Sequence, residues 1–300
     1  YGVTDALCLR LVRKYGNSAK AILESDPYRI IREVKGIGFK TADRIALNLG
    51  LSNNGPERIE AGILHTVQEA EDQGHNHIDR RELVIQAANL LETDSNDVDQ
   101  RIDALLQSCD LVPSTEDWVQ LPTSARAEQT LARSLHALLD AKSSLPPIQV
   151  EKAITWAQEK AGFGFADGQA EGIRQALLSK VSILTGGPGT GKTTILRALV
   201  SILKAKKTKI MLGAPTGRAA RRMAESASHF AQTVHRLLKF DPSQGGFTHN
   251  EQSPLTCDFV IMDEASMLDL RLAAALVRAI PPQAHLLLVG DACLLYTSDA

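Results

Sequence analysis

Cysteine is scarce and scattered: Cys8, Cys109, Cys257 and Cys293 share 300 residues without a C-x-x-C pair. That spacing excludes a disulfide framework and a paired-cysteine zinc site, and it suits a reducing, cytoplasmic setting. No apolar run is long enough to cross a bilayer as a helix. No charged-then-apolar signal segment opens the chain. It begins at Tyr1 rather than Met, as a fragment or trimmed chain would. An excess of one charge is also missing, since the formal net charge is −2. That excludes a uniformly basic coat but leaves room for local patches that bind nucleic acid. What remains is an ordinary globular composition, 44% apolar, enough for roughly two domains with cores of their own.

The stretch that organises the chain is Val181 to Thr194, VSILTGGPGTGKTT. A short apolar strand feeds G-x-x-x-x-G-K-T, and a helical run follows. This is the P-loop pattern. Glycines let the backbone curl so that successive N–H groups face phosphate oxygens. The helix start adds free N–H groups and a positive dipole end. The nucleotide set is therefore Gly187, Pro188, Gly189, Thr190, Gly191, Lys192, Thr193 and Thr194. Lys192 reaches the β- and γ-phosphates, and the Thr193 hydroxyl ligates Mg²⁺. Downstream, the apolar strand Phe259 to Met262 delivers Asp263 and Glu264 at its carboxyl end. Asp263 holds Mg²⁺, through water, and Glu264 polarises the attacking water. No N-K-x-D guanine-reading motif is visible, which argues against a regulatory GTPase.

Upstream of the loop, Phe163, Phe165 and Gln169 precede a helix. A Gln amide pairs bidentately with the N6/N7 edge of adenine. After a second short strand, Thr216 and Arg218 open a helix, a geometry that suits phosphate. His235 follows in TVHRLL. Asp241 to Ser253 reads as a polar, Gly-containing loop.

The N-terminal part reads as helical, broken at Gly16, Asp26-Pro27 and Gly36. Gly36-Ile37-Gly38 forms a two-glycine turn before an amphipathic helix, with Lys35 and Lys40 beside it. Its N–H groups are placed to grip a phosphate without reading bases. On that reading a β-branched residue at Gly38 blocks both the turn and the approach. Three further helical patterns and the strand Trp118 to Leu121 suggest a winged-helix-like module. His75 and His77, in the loop GHNH, read as exposed loop residues. Ser143 to Pro147 marks the likeliest break before the nucleotide-binding part.

Taken together, GGPGTGKTT, GAPTGRAARRM, QTVHRLL, FVIMDEASM and LLLVGD, in that order, resemble the first motor domain of RecD-like superfamily 1 DNA helicases. GIGFKTADRIA and the helices behind it resemble the long form of that family. The resemblance implies an α/β, RecA-like P-loop motor (a parallel sheet flanked by helices) preceded by an all-α helix–hairpin–helix and winged-helix-like region. The expected domains are 1–52, 56–142 and 148–300. It implies ATP and Mg²⁺ as cofactors and 5′-to-3′ translocation on single-stranded DNA, in repair or recombination. It places Thr216, Arg218 and His235 along the DNA track. Gly36, Gly38 and Lys40 become contacts to duplex or junction DNA. After Asp291 the chain departs from the family, with Leu294 where a Gln is expected. The second motor domain and its arginine finger are absent from these residues, so this stretch alone is expected to be a poor ATPase. The rival reading is a structure-specific DNA-binding module with a nucleotide-controlled switch and no unwinding.

Overall fold

The structure, a computed structural model, describes residues 4–291 except Lys35, Pro188, Gln244 and the side chain of Arg32. The tail from residue 292, which includes Leu294, lies outside the described residues, as do the expectations for Lys35 and Pro188. The chain divides into two compact units, 1–126 and 127–300.

The first unit begins with helices α1 (Asp5–Tyr15), α2 (Ala19–Ser25), α3 (Arg29–Glu33) and α4 (Phe39–Asn48). Then come α5 (Pro56–Asp72), strand β1 (Ile78–Asp79), α6 (Arg80–Leu91), α7 (Ser95–Gln107), β2 (Val112–Pro113) and β3 (Trp118–Gln120). The three strands form a small antiparallel sheet with β3 in the middle. Residues from Leu7 to Val119 share one continuous core. The Asn53-Asn54-Gly55 stretch is therefore a turn within one unit, not a gap between two domains.

A buried ion pair crosses that turn. Arg58, 8% exposed, donates to both carboxylate oxygens of Asp43 at 2.8 and 3.0 Å. It also donates to the carbonyls of Asn53 and Leu91, each at 2.8 Å. Tyr28 adds its hydroxyl to the same carboxylate at 2.7 Å. Removing one member strands the other in the interior. Arg58→Ala is expected to destabilise this unit by roughly 3 kcal/mol, and the double change Arg58→Met with Asp43→Ala by clearly less. Urea unfolding of both variants checks this; equal losses would overturn it.

Helix α8 (Pro122–Asp140) starts in the first unit and carries most of its length in the second. The second unit continues with α9 (Val150–Ala161), α10 (Asp167–Leu178), β4 (Val181–Thr185), α11 (Lys192–Ala205), β5 (Ile210–Ala214) and α12 (Gly217–Ala227). It is completed by β6 (Ala231–Thr233), α13 (Val234–Leu237), β7 (Phe240–Asp241), β8 (Gly246–Phe247), β9 (Phe259–Met262), α14 (Leu270–Ala279) and β10 (His285–Gly290).

Five strands form a sheet in the order β4-β10-β9-β5-β6, parallel at every pairing. Parallel strands need crossovers, and the crossovers cover both faces. That is why β9 reads as four consecutive apolar residues, all buried. Phe259 and Ile261 pack with α9, α10, α11 and α12; Val260 and Met262 pack with α8, α13 and α14. Strand β4 lies at the sheet edge, where Ile183 is 71% exposed. No helix among the described residues is long and apolar enough to cross a membrane.

The expected break at 143–147 is not where the units divide. Leu138 is buried against Val234, Leu276 and their neighbours, so α8 belongs with the sheet. The Ser-Pro stretch is tied down as well. Ser143 Oγ lies 2.7 Å from His285 Nε2, and the Ser144 N–H donates to the Gln283 carbonyl at 2.9 Å. Burial and the nearby Lys180 hold the His285 imidazole below its ordinary pKa, keeping it neutral at that contact.

Candidate nucleotide site and nucleic-acid interface

Because every strand of the sheet points the same way, the strand ends that carry polar motifs come out on one edge. The P-loop leaves β4, Thr216 leaves β5, His235 follows β6, and Asp263-Glu264 leave β9. Residues far apart in sequence thereby share one rim.

In the loop, Gly189 and Gly191 sit at φ +80° and +91°, the left-handed region that favours glycine. A Cβ on Gly191 would also meet the Gln169 amide at 2.1 Å. The Lys192 ammonium folds across the loop, donating to the carbonyl of Gly186 and, at 3.0 Å, to that of Gly187. Thr190 Oγ1 donates to the Gly187 carbonyl at 2.9 Å. Gln169 lies against the loop, and its Oε1 accepts the Ala166 N–H at 3.2 Å. Its Nε2 donates to the Thr190 carbonyl at 3.5 Å, so both halves of the amide have partners, one at the start of α10 and one in the loop.

Beside the loop lies a cavity of about 270 Å³. Phe163, Phe165, Thr193, Thr194 and Arg197 line it. The two rings meet edge to face, centroids 5.8 Å apart. An aromatic wall next to a phosphate loop is the right size and polarity for a nucleobase. Arg197 was not singled out in the sequence; its position one helical turn after Thr193 and Thr194 was the available signal.

Asp263 is half-buried at the end of β9. Its Oδ1 accepts the Glu264 N–H at 3.0 Å. Burial pushes its carboxyl pKa up, and the charge of Glu264 adds to this; the Glu264 N–H, Arg222 and Lys192 act the other way. Glu264 follows in the left-handed region at φ 52°, uncommon for a residue with a Cβ. Its Oε1 accepts from Arg222 Nη2 at 2.9 Å.

A raised carboxyl pKa in the folded state means that this group favours folding most when protonated. The contribution is complete below the ordinary value of 3.8 and is lost as pH rises through the higher folded value. Asp263→Asn is therefore expected to raise the melting temperature of the nucleotide-free chain at pH 7, and to lose that advantage near pH 3. Thermal melts at the two pH values read the difference. A lower melting temperature at pH 7 would contradict it.

The candidate interface residues fall into two groups, one in each unit. In the second, Thr216 caps α12, its Oγ1 accepting the Ala219 N–H at 3.2 Å, and Arg218 is exposed one residue inside the helix. His235 is exposed on α13 and packs against Phe240 and Phe247, at 5.9 and 5.7 Å between centroids. Those two phenylalanines pair across an antiparallel hairpin, β7 with β8. The segment from Asp241 to Ser253 is thus not a plain loop. Phe240 and Phe247 flanking D-P-S-Q-G-G were the overlooked hairpin signal.

In the first unit, Gly36 sits at φ +80°, and Gly38 starts α4 with Lys40 exposed just inside it. The requirement for glycine falls on Gly36 rather than on Gly38. Gly38 has φ −94°, and a Cβ there would have nothing within 4 Å. A side chain at 38 is sterically allowed, whereas one at 36 is strained and meets Arg10 Nη1 at 3.0 Å.

Comparison with known proteins finds one family model in each part of the chain. Residues 1–77 match the family model of the ATP-dependent RecD2 DNA helicase HHH domain. Residues 169–296 match an AAA domain model. Over its whole length the chain is 34% identical to an ATP-dependent RecD2 DNA helicase of Deinococcus radiodurans, of which it spans 43%. Over 51% of its length it is 35% identical to the RecBCD enzyme subunit RecD of Haemophilus influenzae, spanning 27% of that protein. Over 36% of its length it is 32% identical to the ATP-dependent DNA helicase dda of Enterobacteria phage T4, spanning 26% of it. The chain therefore covers less than half of each of these relatives.

Proposed function

This chain belongs to the RecD-like family of DNA helicases, with an N-terminal HHH region, and on that premise we propose that it is the N-terminal and first-motor part of an ATP-dependent DNA helicase acting in repair or recombination. The observation that carries the reading is the shared rim of the sheet: a phosphate loop, a carboxylate pair and an Arg-bearing helix start leave parallel strands on the same side. The carboxylate pair on β9 is then next to the strand-contact residues that follow β5, close enough for one to bias the other.

Each residue takes a role that its surroundings support. The loop N–H groups and Lys192 bind the phosphates, and the ammonium exchanges loop carbonyls for phosphate oxygens. The cleft at Phe163 and Phe165 takes the adenine. Glu264 orients the attacking water and accepts its proton. Asp263 and Thr193 offer hard oxygen donors, and the desolvated Asp263 carboxylate is a group that a cation compensates, so the pair fits Mg²⁺. When bound, Mg²⁺ neutralises charge on the phosphates. Thr216, Arg218 and His235 form the single-strand track, with the Phe240–Phe247 pair as a stacking surface beside it. We propose the 5′-to-3′ direction for translocation along it.

The first unit supplies a sequence-independent phosphate contact at Gly36–Gly38 and Lys40, which we assign to duplex or junction DNA. The order α5-β1-α6-α7-β2-β3, with β3 between the other two strands, supports a winged-helix-like module. Its third helix does not suit phosphate. Asp97, Asp99 and Asp103 outnumber Arg101 along α7, and Arg80 is occupied by Asp99 and Asp103 at 2.8 and 2.7 Å. Contact in this unit is therefore assigned to the glycine turn and not to α7.

The test is strand displacement by the full-length gene product on duplexes with either a 5′ or a 3′ single-stranded tail. Unwinding from the 5′ tail alone supports the reading; unwinding from the 3′ tail reverses the direction, and none on either supports the rival DNA-binding switch. In the same assays Arg218→Ala is expected to flatten the slope of log K for single strands against log salt by about 0.7, one phosphate contact. An unchanged slope would take Arg218 off the track.

A further inference from the structure

We propose that Arg222 is a positioning residue that couples strand contact on α12 to hydrolysis: it holds the Glu264 carboxylate when no phosphate backbone lies on the helix and releases it when one does. The proposal rests on the reading of Glu264 as the base.

Three observations converge on it. Arg222 donates from Nη2 to Glu264 Oε1 at 2.9 Å, joining α12 to the end of β9. Arg222 follows Arg218 by four residues, so the two guanidinium groups share one face of the helix a turn apart. That helix is anchored, since Ala219, Ala220, Met223 and Ala227 are buried beneath it, while the Arg222 side chain remains 65% exposed. The acceptor is equally particular. Glu264 sits in the left-handed region, immediately after the carboxylate assigned to Mg²⁺.

An exposed ion pair contributes little to stability. Its position is what matters. A carboxylate oxygen held by a guanidinium has part of its acceptor capacity engaged and is not free to take a hydrogen bond from the attacking water. A phosphate backbone arriving at Thr216 and Arg218 brings a competing acceptor to within one helical turn of Arg222. Guanidinium matches phosphate as well as carboxylate, in a two-pronged geometry that Lys cannot reproduce. Transfer of Arg222 to phosphate frees Glu264. The site then hydrolyses ATP faster when a strand is on the track, using side chains alone and without a movement of α12.

The experiment is steady-state ATP hydrolysis by the full-length gene product, without DNA and with saturating single-stranded oligonucleotide, for the parent, Arg222→Ala and Arg222→Lys. Arg222→Ala should raise the DNA-free rate about two- to fivefold, the range that one exposed pair supports. It should lower the stimulation ratio by the same factor, with KM for ATP unchanged. Arg222→Lys should fall between. In a Glu264→Gln background the Arg222→Ala change should have no effect on the DNA-free rate, because the two act as one unit. A DNA-free rate that stays level or falls in Arg222→Ala overturns the coupling. So does an unchanged stimulation ratio. If Glu264→Gln itself hydrolyses at the parent rate, it is the assignment of the base that fails, and the two failures are distinguishable in one set of assays.

Discussion

Lys192→Ala is expected to weaken binding of Mg·ATP by on the order of a hundredfold and to leave turnover at background. The ammonium is the charged donor of the loop, and hydrogen bonds to charged groups contribute about 1.5–3 kcal/mol each. It spans the loop mouth, held by the carbonyls of Gly186 and Gly187, so it stands where phosphate oxygens would replace those partners. The backbone N–H groups and the start of α11 remain in the variant, which is why some affinity should persist. Lys192→Arg keeps the charge on a wider, planar head and should recover only part of the loss. Titration with a fluorescent ATP analogue, with thermal melts as a folding control, gives the answer. Parent-like affinity and turnover in Lys192→Ala would remove the nucleotide from this loop.

Glu264→Gln is expected to separate binding from chemistry. Gln keeps the length and one acceptor oxygen but takes no proton. ATP should bind as in the parent, and hydrolysis should fall by about 10²–10⁴-fold, the usual contribution of a positioned base. The amide also gives up the charged contact with Arg222, a loss of little consequence for stability because the Arg222 side chain is 65% exposed. Single-turnover hydrolysis alongside nucleotide titration distinguishes the two steps. Weaker binding with an unchanged chemical step would give Glu264 a structural role and move the base elsewhere.

Neither expectation needed coordinates to be conceived, and that follows from how such motifs are built. The phosphate loop is one continuous stretch, and its strand, glycines, Lys192 and helix must be adjacent to work. The pair Asp263-Glu264 is announced by the apolar strand before it. The α/β character, the five motor segments and the helical N-terminal part were legible for the same reason: each depends on local order or on a short period.

What only the tertiary structure decided depends on contacts between distant residues or on backbone angles. Arg222 is one of three arginines on α12, and only the fold sets it beside Glu264 at the end of β9. Phe163 and Phe165 became a wall only when α11 brought Thr194 and Arg197 across from them. The Ser-Pro break at 143–147 resembled a boundary because loop composition records local flexibility, and a buried His285 partner leaves no trace in it. Gly36 and Gly38 are identical letters, yet only one has a positive φ. Short-range chemistry is written along the chain; pairing across the sheet, burial of a helix face and the sign of a dihedral are settled only when the whole chain competes for its core.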